Sequence, residues 1–175
     1  MKRIICLTLA ALLLCCFCGC HYSDSGDILE PVEFFYPRQN ASYVYGAEDG
    51  VLASEIREAS GHADDLNYLL SMYLRGPQDP GLRSPFPAGC RLEEVRIDSD
   101  TVCVVLTAEF AALENVELTL ACASLAKTCL ALTDAQQVRI DAASPEKNIS
   151  ITLDADSLLL ADYSAFEAQP VTEEP

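Results

Sequence analysis

Positive charge is scarce in this 175-residue chain: 11 lysines and arginines stand against 27 aspartates and glutamates. Two of the 11, Lys2 and Arg3, belong to the first three residues, which leaves nine for the rest. Nucleic-acid binding needs a basic surface to replace phosphate counterions, so that class is excluded. Electrostatic adsorption to anionic lipid headgroups is excluded on the same ground. The acid excess is read as a solubility device. Histidine is nearly missing, with only His21 and His62. His21 falls in a polar stretch and His62 just ahead of a helix pattern, and both read as solvated side chains. No GxSxG, HExxH or phosphate-loop pattern occurs. Asp154-Ala-Asp156-Ser opens like a calcium loop but lacks the third oxygen ligand, the glycine and the closing glutamate. Glu93 and Glu94 are strand neighbours that point to opposite faces, so they cannot form a carboxylate dyad. No catalytic residue, metal ligand or cofactor-binding residue is assigned, and the chain is read as non-enzymatic.

The apolar run near the start of the chain is too short to span a bilayer. The run from Ile4 to Cys18, broken only by Thr8, is about 15 residues, against the roughly 20 that a spanning helix needs. Lys2 and Arg3 before it and small residues after it give the order of an export signal. It ends in Phe17-Cys18-Gly19-Cys20, which resembles the lipobox of bacterial lipoproteins. That resemblance makes residues 1–19 a signal peptide and Cys20 the lipid-attachment residue, although Phe17 and Cys18 depart from the usual choices. An uncleaved anchor helix is the alternative, and both readings place the remainder outside the cytoplasmic membrane.

Of nine cysteines, five lie at or before Cys20. The other four, Cys90, Cys103, Cys122 and Cys129, contain no CxxC pair, which argues against zinc. Cys122 and Cys129 share a helix face about 10.5 Å apart along the axis, too far to bridge each other. They read as small buried hydrophobes, and a link from Cys103 to that helix stays open.

What is present reads as a small α+β domain. Residues 20–31 form a polar tether. Residues 32–37 form a first strand, and Tyr43-Val44-Tyr45 suggests a short strand pairing back. Glu48-Asp49-Gly50 signals a turn. Residues 51–58 are ambiguous and are assigned to a strand. Leu66, Leu69, Leu70, Tyr73 and Leu74 make one face of a helix, with Asp64 and Asp65 at its start and Gly76-Pro77 as its stop. Residues 76–89 hold four prolines and three glycines in 14 residues, a stiff loop with Phe86 as a plug into the core. Residues 91–97 and 101–107 form a hairpin around Asp98-Ser99-Asp100, with Val102, Val104 and Leu106 facing inward. Asn115 is expected to cap a helix over 116–132 whose apolar seam runs through Leu118, Cys122, Leu125, Cys129 and Leu132, broadened by Leu120 and Ala121. Residues 136–142 read as a half-exposed strand and 149–156 as a further strand, at an edge. Residues 157–166 are apolar enough to dock, and the acidic end of the chain reads as a disordered tail.

The central pieces resemble the GerMN domain of exported sporulation and spore-germination proteins of Gram-positive bacteria. The matching residues are Leu69, Leu70, Gly76, Pro77, Leu82, Ser84, Pro85, Pro87, Gly89, Leu92, Val104, Leu106, Glu109 and Phe110. Cys90 and Val105 depart from the threonine and aspartate common in that family. The resemblance implies a small mixed sheet with two helices on one face and the other face partly open, akin to ring-building motifs. The expected organisation is leader 1–19, tether 20–31, domain 32–163 with its core over 62–143, and tail 164–175. The implied role is a membrane-anchored module on the outer face of the cytoplasmic membrane. There it would dock an envelope or sporulation protein. Holding a cell-wall fragment or small solute is the alternative.

Overall fold

The computed structural model describes residues 30–40 and 50–158. The leader, Cys20, most of the tether, Tyr43–Tyr45 and the chain after Leu158 lie outside the described residues.

Alternation of apolar residues builds the first layer. In β1 (Pro31–Pro37), Val32, Phe34 and Tyr36 are buried. The strand pairs antiparallel with β2 (Leu52–Glu58), so the ambiguous segment is a strand. Gly50, just before β2, has φ +61°, a backbone state that glycine adopts without a side-chain clash. Cross-strand register then places Glu55 beside Phe34 and Arg57 beside Val32. The inner face of β2 therefore carries charge, while Ile56 points outward and is 71% exposed.

Helix α1 (Leu66–Tyr73) follows its predicted spacing and buries Leu69, Leu70 and Tyr73. The Asp65 side chain accepts from the Tyr68 amide at 3.0 Å, satisfying one of the free N–H groups at the helix start. Gly76, at φ +91°, turns the chain away, and its amide donates to the Tyr73 carbonyl. The stiff loop then brings Phe86 edge-on to Tyr73 at 5.4 Å and within 6.3 Å of Phe110.

Four strands form the second layer, in the order β3 (Leu92–Asp98), β4 (Thr101–Leu106), β5 (Gln137–Ala143), β6 (Asn148–Asp154). β3–β4 and β5–β6 are antiparallel hairpins, and β4–β5 is parallel. A parallel pair needs a crossover, which α2 (Asn115–Leu132) supplies. β6 lies at an edge, as the pattern predicted. The fold is α+β with a mixed sheet and two helices. The first two strands form a sheet of their own rather than joining the mixed one.

Two expectations for α2 are corrected. Asn115 is not a side-chain cap: Glu114 holds the cap position with no side-chain bond, and Asn115 sits at φ +49° as the first helical residue. The buried surface is also wider than that broadened seam. Leu120 to Ala126, Thr128 and Cys129 are all buried. The cause is position, because α2 contacts β1 on one side and β5 and β6 on the other. The Phe35 amide donates to Thr128 Oγ1 at 2.9 Å, tying the hairpin to the helix. Among the described residues, only α2 is long and apolar enough to cross a membrane, and half of it is buried in the core.

Candidate functional site

The first hairpin and the loop after α1 meet in a clamp around the Gly76 carbonyl. From the inner face of β2, the Arg57 guanidinium donates to the Gly76 carbonyl at 2.6 Å and to the Met72 carbonyl at 3.3 Å. It lies over the rings of Phe34 and Tyr36, at 5.4 and 5.7 Å from their centroids. Arg57 is paired with Glu55. Glu55 in turn accepts from the amides of Gln78 and Asp79, at 2.8 and 2.7 Å. Burial works against the Glu55 carboxylate. The Asp79 amide, Arg57 and the Gln78 amide outweigh it and hold the carboxyl below its usual range.

An aromatic stack completes the clamp. Tyr36 and Tyr73 stack at 4.7 Å. The Tyr36 hydroxyl donates to the Tyr73 carbonyl at 2.8 Å, and the Tyr73 hydroxyl donates to the Phe35 carbonyl at 2.9 Å. Burial pushes both phenols above their ordinary range. Neither ionises near neutral pH, so they act as fixed hydrogen-bond donors.

The opposite face of the mixed sheet is open and charged. Register aligns Arg96, Cys103, Arg139 and Thr152 in one row across four strands, and Glu94, Val105, Asp141 and Ser150 in the next. Each arginine pairs along its own strand: Arg96 with Glu94 at 3.0 Å and Arg139 with Asp141 at 2.9 Å. Ser150 donates to Asp141 at 2.6 Å. These two arginines are thus each matched to a carboxylate along the strand. The departure at Val105 puts an apolar side chain between Glu94 and Asp141 in this row. β3 and β6 each pair on one side only among the described strands. A bulge between Leu92 and Glu94, with charged residues around it, blunts the β3 edge.

Among the described residues, clefts of about 350 Å³ indent the surface at two places of note. One is lined by Ser71, Leu74, Arg75, Cys90, Arg91 and Leu92. The other lies between the start of α1, the β3–β4 turn and the end of α2.

Among the described residues, none of the singled-out histidines and carboxylates joins in a metal-binding cluster. His62 is exposed and stacks on Tyr68 at 4.2 Å. Asp154 accepts from the Ser157 amide and hydroxyl, at 2.8 and 2.6 Å, so it caps the turn at Asp156–Leu158. Asp65 caps α1, and Glu93 and Glu94 are exposed on β3. All four cysteines after Cys20 are free and buried. Burial raises the Cys122 and Cys129 thiols to about 12, as fits buried hydrophobes. Burial and then Glu109 raise Cys90 to about 11. The open question of a Cys103 link closes against it. Val102 and Val104 belong to the same core cluster as Cys122 and Cys129, so alternation turns Cys103 to the far side of the sheet. Glu55 and Arg57 were missed by the sequence reading. Their strand, Leu-Ala-Ser-Glu-Ile-Arg-Glu, has no clean alternation to say which set faces inward.

A family model described as Germane, sporulation and spore germination, matches residues 34–143. No curated protein matches the chain. Among solved structures, the tandem GerMN domains of the sporulation protein GerM from Bacillus subtilis are similar at 16% identity and a TM-score of 0.47. That match covers 70% of this chain and 44% of the other, so this chain spans less than half the length of that relative. A lipoprotein structure from Clostridium perfringens is similar at 16% identity and a TM-score of 0.42, covering 79% of this chain and 97% of the other.

Proposed function

Since the chain belongs to the Germane family of sporulation and spore-germination domains, of the GerMN type, we propose that it is a lipid-anchored, non-catalytic docking module of the cell envelope. Cys20 carries the lipid after removal of residues 1–19, residues 20–31 form the tether, and residues 32–163 form the domain. The domain stands on the outer face of the cytoplasmic membrane and binds an envelope or sporulation protein. The observation that carries this reading is the mixed sheet, with one face open and its two outer strands paired on one side only among the described strands. Such a surface offers backbone donors and acceptors and a lateral array of charge to another protein.

Two measurements test the proposal. Cross-linking in living cells is expected to recover a defined protein partner, and repeated recovery of none counts heavily against docking. The mass of the mature protein is expected to show a lipidated chain beginning at Cys20. A product that keeps Met1 and lacks lipid ends the anchoring part. The two clefts favour a second reading, in which a cell-wall fragment or small solute is held. A rise in melting temperature with purified wall fragments, absent with unrelated glycans, is the result that reading requires.

A further inference from the structure

The cleft at the end of the sheet has a distinct chemistry. Leu66 and Leu69 of α1, Ile97 of β3, and Leu132 and Ala135 at the end of α2 give it an apolar floor. Ile97 points toward the core side, in register with Val102, yet is 56% exposed because no described element covers it. The rim is acidic. Asp64 and Asp134 line it, and Asp65 and Asp100 adjoin lining residues in the chain. The lining includes no lysine or arginine among the described residues.

A second source of negative potential meets the cleft from another direction. α2 ends there, at Leu132 and Thr133, and has no basic residue in its last turn. The carbonyl end of a helix carries partial negative charge and favours a cation. Aspartates from two segments and the end of the longest described helix thus surround one apolar slot. That slot has room for a large side chain, and the surrounding field selects a positive charge beside it.

We propose that this cleft docks a segment of a partner protein that presents one large apolar side chain next to a lysine or arginine. The inference rests on the docking-module reading and adds the place and the chemistry of the partner. The chain's own segments outside the described residues do not complement the site: once residues 1–19 are removed, neither 20–29 nor 41–49 holds a lysine or arginine. Residues 159–175 contain Asp162, Glu167, Glu173 and Glu174 and no basic residue. A second copy would bring the same acid excess to an acidic rim.

The test is selection of short random displayed peptides on the purified full chain, followed by affinity measurement with a synthetic peptide of the enriched pattern. The expected pattern is phenylalanine, leucine or methionine beside lysine or arginine. Both Ile97→Lys and Asp134→Lys are exposed substitutions, expected to keep the wild-type melting temperature and to weaken the peptide at least about tenfold. Raised salt should weaken it as well. Enrichment of acidic or uncharged peptides overturns the proposal. So does equal binding by the two variants, which moves docking elsewhere and leaves the docking-module reading intact. If nothing is enriched, the cleft proposal falls, and in-cell cross-linking still judges the broader reading. A chain ended at Leu158 that binds the peptide about tenfold tighter makes residues 159–175 the occupant and overturns it. Self-association lost in both variants assigns the cleft to a second copy, with the same consequence.

Discussion

Three ion pairs join an arginine to a carboxylate two residues away on the same strand: Glu55 with Arg57, Glu94 with Arg96, and Arg139 with Asp141. Spacing and chemistry are alike, but surroundings differ. The Glu55 and Arg57 side chains are 10% and 6% exposed, whereas Glu94 and Arg96 are 57% and 46% exposed. The buried pair also binds backbone groups of a distant segment, at Met72, Gly76, Gln78 and Asp79. The open pairs bond along and across their own sheet. Water weakens the open pairs and leaves them adjustable, while exclusion of water turns the buried pair into a brace. One brace sets the loop at Gly76–Pro77 against the hairpin. The other pairs leave a sheet face that can exchange its internal partners for those of another molecule.

The comparison breaks if the buried pair proves no more costly to disrupt than an open one. Arg57→Met is expected to destabilise most, by about 3–5 kcal/mol in chemical denaturation, because it leaves the Glu55 carboxylate buried without its cation. Next comes Glu55→Gln, which weakens the acceptor for two amides and Arg57 at a cost of about 1–3 kcal/mol near neutral pH. This second effect depends on pH with a defined sign. The folded pKa of Glu55 lies below the ordinary 4.5. Its contribution is therefore complete above the unfolded value and lost as pH falls through the folded one. Denaturation midpoints of wild type and Glu55→Gln should converge as pH drops below about 4.5, and a gap that persists or widens there would show that the carboxylate charge is not what matters. Arg139→Ala should cost only about 0.2–1 kcal/mol, a difference that shrinks further in high salt. Smallest of all, Arg96→Ala should leave the thermal midpoint almost unmoved.

Local signals made much of the fold legible. The spacing from Leu66 to Leu74, the stop at Gly76, the Asp98–Asp100 turn and the alternation around Val138 and Ile140 each depend on neighbours within a few residues. The structure places an element or turn at each of them. Ser99 even takes a left-handed φ of +58° inside the predicted turn. What stayed hidden depends on partners far away in the chain. Nothing near Arg57 reveals that its main acceptor is the carbonyl of Gly76, 19 residues on. The breadth of burial on α2 also could not be read from its own periodicity, because the hairpin covering it lies about 90 residues earlier. The acidic cleft was invisible for the same reason. It is assembled from three separate stretches, none with a distinctive motif. Cys20, the one residue assigned a chemical role from sequence, lies outside the described residues.

The placement of α2 between two layers has a consequence for cooperativity. Its apolar surface is shared between the hairpin through β1 and the mixed sheet through β5 and β6. The hairpin cannot lift away without breaking the bond from the Phe35 amide to Thr128 and wetting Thr128, which is fully buried. Opening at one layer therefore propagates to the other, and the described region should unfold as one unit. Amide hydrogen exchange should then give the inner positions of β1 and β5 the same protection free energy. A hairpin that exchanges much faster than β5 would show two layers that merely touch.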